Sequence, residues 1–176
     1  MIEALMAAAA VAAAPASQVA PCIWGKLPAY KEQVIAAPDI DSFQRMRRTY
    51  PDGAAEAAFA ACVPEGEGDA AAEMAFSYYE ASLWARGRLA GKWPAEALAA
   101  IDGIPEQELK YFWLQSTVDT TNVGFRQAQT QAWARVYGPF GRTGPIAGRD
   151  DLDAYIVGRV GWRLGELDYR EGLKRR

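Results

Sequence analysis

Two glutamates, Glu73 and Glu80, stand seven residues apart in the segment EMAFSYYEASLWAR. On a helix this spacing covers two turns, about 10 Å along the axis, and projects both carboxylates from one side. That is near the upper end of the ~6.5–9.5 Å separation with which inverting glycosidases place an acid and a base. The same stripe continues through Ser77, Trp84 and Arg88, and an indole beside carboxylates is a platform for a sugar or a cation. A competing reading is equally physical: a solvated face on which Trp84 covers apolar surface and Arg88 stacks on it one turn along.

A second polar cluster lies in LQSTVDTTNVGF, residues 114–125, where Asp119 and Asn122 are the candidate ligand groups. Such side chains compete with helical backbone for hydrogen bonds. Either a helix junction falls here, with Asp119, Thr120 or Thr121 recapping the second half, or these groups face a polar cavity. The flanking stripe Tyr111, Leu114, Val118, Phe125, Ala132 and Val136 keeps helical register. It predicts one long helix, or two nearly collinear ones, from Pro105 to Tyr137.

The remaining inventory excludes more than it offers. The chain has no histidine, which removes Ser-His-Asp and Cys-His catalysis, His-ligated zinc and the usual proton shuttle. Its two cysteines alone cannot build a structural zinc site, and no metal or cofactor is implied. Gly141-Arg142-Thr143-Gly144 lacks the Lys-Ser/Thr ending of a phosphate loop and reads as a connector. Asp150 to Asp153 has no calcium-loop spacing. No catalytic residue is assigned. Ligand-binding candidates are Glu73, Glu80, Trp84, Arg88, Asp119 and Asn122.

These groups sit in a chain of 176 residues, 51% apolar and 23% charged, with six Trp. That is one globular domain with material for a substantial core. A net charge of −3 argues against nucleic acid as a partner. From Asp52 to Lys110 there are eleven acidic residues against four basic, so the middle of the chain is locally acidic. No segment approaches the roughly 20 apolar residues of a spanning helix, so no transmembrane anchor is expected.

The apolar run from Ala4 to Ala14, followed by Ala14-Pro15-Ala16, has the length and the small residues of a secretion leader. It predicts a signal peptide over 1–16, cut before Ser17, and a periplasmic or secreted protein. Glu3 and the lack of a basic start fit an Ala-rich helix or tail better. Pro21 before Cys22 argues against lipid attachment. In an oxidising compartment Cys22 and Cys62 are expected to form a disulfide; otherwise they are separate buried thiols.

Residues 17–37, interrupted by Pro21, Pro28 and Pro38, are expected to be irregular. Residues 38–173 carry helical periodicity and are expected to form an all-α single-domain bundle of about six helices. Asp41 with Gln44 resembles a capping box, and a helix from 54 to Val63 follows. The helix from Asp69 is expected to stop at Gly91, another opens at Pro94, and Asp150 is expected to cap the last. That last helix has an apolar face of Leu152, Ile156, Val160, Leu164 and Leu167. Gly158, Gly161, Gly165 and Gly172 line the opposite side, so close packing on two sides is expected. Glu166 and Arg170 are ordered for an i,i+4 pair. Residues 174–176 form a basic tail.

Three functions are compatible with these residues. The first is a non-enzymatic exported module that binds a partner protein, an envelope polymer or a small ligand. The second is a carboxylate-dependent hydrolase of an envelope polymer that uses Glu73 and Glu80, with Asp119 possible. It requires a cleft holding at least two of these carboxylates, one with a raised pKa. The third, if the leader stays uncut, is a cytosolic helical interaction protein. The oligomeric state is not assigned by any of these features.

Overall fold

A computed structural model describes residues 19–49, 52–63, 69–93, 95–112, 122–145 and 151–174. The leader over 1–16, Asp119, the capping position Asp150 and the end of the basic tail lie outside the described residues. Among the described residues the fold is all-α, without strands. Eight α-helices run in chain order: α1 (Val19–Gly25), α2 (Pro28–Ala36), α3 (Ile40–Thr49), α4 (Asp52–Cys62), α5 (Asp69–Leu89), α6 (Ala95–Asp102), α7 (Val123–Tyr137) and α8 (Asp151–Lys174). Two 3-10 segments, Glu106–Phe112 and Gly138–Phe140, also occur among the described residues. The total exceeds the expected six or so because α1 and α2 lie in the segment expected to be irregular.

The helices α5 and α8 form the axis of the fold, packed along their lengths. A Cβ on Gly158 would lie 2.8 Å from the Ser82 backbone nitrogen, on Gly161 2.5 Å from the Tyr78 ring, and on Gly165 2.7 Å from Ala75 Cα. The contacts descend along α5 as they ascend along α8, so the helices run antiparallel. Three glycines let two backbones approach until the larger side chains flanking the seam close over it. Gly172 faces open space and takes no part in this seam. On the rest of α8, Leu152, Tyr155, Ile156, Val160 and Tyr169 are buried, and Arg159 pairs with Asp102 at 2.5 Å.

The N-terminal segment departs from expectation. Residues 19–25 and 28–36 are helical rather than irregular. Prolines in a first turn remove N–H groups that have no intrahelical acceptor, so Pro21 and Pro28 start helices rather than break them. α1 is held by a buried carboxylate. Glu166 accepts from the backbone N–H of Val19 at 3.3 Å and of Ala20 at 3.0 Å, and from Trp162 Nε1 at 3.1 Å. Arg170, the expected i,i+4 partner of Glu166, donates instead to Glu106 at 2.9 Å.

Cys22 on α1 and Cys62 on α4 form a disulfide with Cα atoms 5.9 Å apart, so the reading as separate thiols is excluded. α4 packs mainly on α1. Its further hold on the body is Phe59, whose ring meets Phe76 edge to face at 5.6 Å.

The predicted continuous or collinear helix from Pro105 to Tyr137 does not form. Trp133 Nε1 and Gln129 Nε2 both donate to the Tyr111 carbonyl at 3.0 Å. In one straight helix residues 111 and 133, 22 apart, would be separated by about 33 Å. The 3-10 segment therefore lies beside α7, and the shared apolar period reflects two elements facing one core. Asn122 caps α7 through its side-chain oxygen, which accepts from Phe125 N–H at 3.0 Å. At the start of α3 the capping side chain is Asp39, accepting from Ser42 N–H at 2.7 Å, and not Asp41. Gly91, at φ 77°, ends the turn after α5 as expected.

Candidate functional site

The stripe on α5 divides along its length. Its first half faces a cavity, and its second half anchors neighbouring helices. Glu73, Ser77 and Glu80 line an opening of about 330 Å³ between α5 and the elements across from it. Leu27 and Tyr30 come from the start of α2, Arg47 from α3 and Phe59 from α4. Phe76, also on α5, supplies an apolar wall. Leu27 and Phe76 are buried and Phe59 is half-buried.

Glu80 is the deepest polar group in this wall. Its side chain is 2% exposed, against 37% for the Arg47 side chain whose Nε pairs with it. Tyr30 Oη donates to the other carboxylate oxygen at 2.5 Å, and an Arg47 Nη donates to Ser77 Oγ. The guanidinium also lies 5.7 Å from the Phe43 ring centroid. Burial pushes the Glu80 carboxyl above its ordinary pKa of 4.5, opposed by Arg47 and by the Tyr30 hydroxyl. Burial, followed by the charge of Glu80, raises Tyr30 as well. A carboxylate withdrawn from water needs such partners, since an unpaired one is costly.

Glu73 is placed differently. It is exposed at the rim and makes no ion pair or hydrogen bond among the described residues. A second opening of about 420 Å³ is lined by Glu73, Ser77, Tyr78 and Arg47, so Glu73 and Arg47 border both spaces. The two glutamates thus share a cavity in unlike surroundings, one enclosed and neutralised, the other hydrated and uncompensated.

Trp84 and Arg88 do not line that cavity. Trp84 is 3% exposed, stacks on Phe43 at 5.2 Å and donates from Nε1 to the Ala37 carbonyl at 3.0 Å. Arg88 lies 5.3 Å over the Trp84 ring, donates from Nε to Asp151 at 2.9 Å and donates to the Pro38 carbonyl. Together they fix the α2–α3 corner against α5 and the start of α8. The stacking of Arg88 on Trp84 is as expected, but on a buried face rather than a solvated one. Asn122, exposed and engaged as a cap, is apart from the cavity.

Sequence reasoning missed Tyr30, Arg47, Phe59 and Phe76 as partners of the glutamates. One signal was present: Leu27, Tyr30 and Val34 recur at helical spacing and all three are buried. Among the described residues, no group of three His, Cys, Asp or Glu side chains is placed to hold a metal ion, and no helix is long and apolar enough to cross a membrane. Comparison with protein-family models, curated proteins and solved structures finds no match to this chain.

Proposed function

We propose that this chain is an exported helical module that binds a small ligand in the cavity between α2, α3, α4 and α5 without chemically changing it. The observation that carries this reading is the state of Glu80. The buried acid of this cavity is held between Arg47 Nε and the Tyr30 hydroxyl, both oxygens engaged, whereas a general acid has to offer its proton to a substrate. A half-open cleft of about 330 Å³ with apolar walls and a few convergent polar groups has the general form of a small-ligand site. Export rests on the leader-like run before Ser17 and is consistent with the Cys22–Cys62 bridge.

The compartment is tested by intact mass on protein made in its own host, combined with cell fractionation. Periplasmic or secreted material lacking the first 16 residues and two hydrogens is expected. Full-length cytoplasmic material with both thiols free overturns export and leaves a cytosolic interaction protein.

One alternative has an observation in its favour. Glu73 and Glu80 line the same cavity and Glu80 has a raised pKa, as a carboxylate-dependent hydrolase of an envelope polymer requires. Hydrolysis of cell-envelope polysaccharide or peptide by the wild type, abolished in Glu73→Gln with Glu80→Gln, would establish that enzyme. Absence of turnover, or turnover unchanged in the double variant, leaves the binding reading.

A further inference from the structure

The charge balance and walls of the cavity narrow its occupant to one chemical class. Arg47 is committed to Glu80 and Ser77, so that pair is close to neutral, while Glu73 at the rim makes no ion pair among the described residues. Leu27, Phe59 and Phe76 offer an aliphatic and two aromatic surfaces beside it. We infer that the cavity takes a small organic cation, an ammonium group on an apolar stem, with the charge at Glu73 and the stem lying along the wall formed by the touching Phe59 and Phe76 rings. This rests on the binding reading above and adds the ligand class.

The competing classes fare worse for stated reasons. A carboxylate ligand meets the uncompensated Glu73 and gains a partner only by drawing Arg47 away, which strands the buried Glu80 charge. A neutral ligand of the same shape gains the apolar contacts and at most an uncharged hydrogen bond to Glu73, without the charge attraction. An ammonium gains both, together with the attraction of a cation for the ring faces. A volume of about 330 Å³ suits one ring and a short chain, at the small end of the ~300–1,000 Å³ range of ligand sites.

The test uses the disulfide-intact chain and three ligands of nearly equal shape: phenethylamine, phenethyl alcohol and phenylpropanoate. Binding is followed by backbone amide NMR shifts at Phe59, Glu73 and Ser77. Phenethylamine is expected to bind about fivefold more tightly than the alcohol, the scale of one partly exposed charge contact, with phenylpropanoate weakest. Glu73→Gln, a change at an exposed site without an ion pair among the described residues, is expected to erase the preference by weakening amine binding to the level of the alcohol. An N-acetyl-lysine amide in the same titration separates a peptide side chain from a free amine as the source of the ammonium. Binding by either supports the inference, and the tighter one names the source. Equal binding of amine and alcohol at these resonances, or a preference that survives Glu73→Gln, overturns the cation while leaving the cavity as a binding site. If none of the ligands shifts these resonances, the cavity reading falls as well.

Discussion

Arg47 of α3 reaches across to Glu80 of α5 and neutralises a carboxylate whose side chain is 2% exposed, while its own side chain stays 37% exposed. The pair therefore joins the interior to the surface through one guanidinium. Its third member, Tyr30, comes from fifty residues earlier in the chain. Three separate helices thus meet on a single carboxylate, and its protonation is tied to their docking.

Stability should carry the signature of that burial. Glu80 is raised above its ordinary 4.5 mainly by desolvation, so the folded chain binds its proton more tightly than the unfolded chain does. Proton uptake then favours folding. The contribution of this group is most favourable below pH 4.5 and declines as pH rises through the elevated value. The difference in thermal midpoint between wild type and Glu80→Gln, followed from pH 4.5 upward, should shift in favour of the variant. A difference that does not vary with pH would contradict the assignment.

Two glycines of α8 should respond oppositely, one inside the seam with α5 and one outside it. Gly161→Ala places a methyl 2.5 Å from the Tyr78 ring and should cost about 1–3 kcal/mol, more than its gain in helix propensity. Gly172→Ala meets nothing within 4 Å and should stabilise by up to about 1 kcal/mol. Denaturant midpoints at unchanged slope are the measurement.

Removing the buried carboxylate of α8 should loosen the start of the described chain. Glu166→Ala leaves the N–H groups of Val19 and Ala20 and the indole of Trp162 without their acceptor. A loss of about 2–4 kcal/mol is expected from donors left unpaired or forced to rehydrate, with Glu166→Gln recovering part of it. Amide exchange should accelerate first in α1.

Opening the disulfide should act locally as well as globally. The cross-link spans 40 residues, for which chain entropy gives about 3–4 kcal/mol of stabilisation. α4 packs mainly on α1, so Cys22→Ser with Cys62→Ser should release α4 before the α5–α8 axis yields. Loss of exchange protection at Ala58, with retention at Ala75 and Val160, is the expected pattern. Because Phe59 is a wall of the cavity, the binding proposed for it should weaken in the same variant.

Legibility from sequence followed how local the determinants were. The limits of α5 and the stop at Gly91 depend on neighbours within a few turns and were readable from residue type; the glycine line of α8 was visible as spacing, but only Gly158, Gly161 and Gly165 meet α5, and Gly172 does not. The first two helices were hidden because Pro21 and Pro28 are breakers inside a helix and starters at its edge, a distinction one residue of offset decides. The fold-back of Glu106–Phe112 onto α7 was masked by an apolar period that continues when two elements face the same core. For the site, spacing placed Glu73 and Glu80 on one side of α5, but a helical wheel carries no depth. That Glu80 is enclosed follows from Tyr30 and Arg47, which lie 50 and 33 positions upstream.

The grip of Glu166 on α1 bears on the proposed export. If the chain is cut before Ser17, only two residues separate the new terminus from Val19, at most about 7 Å of extended chain. A leader peptidase has to thread several residues on both sides of the bond through its own cleft, which a docked α1 cannot spare. Processing would therefore have to precede docking, and seating of the first helix would be a late, post-translocation event that seals the mature end against further trimming.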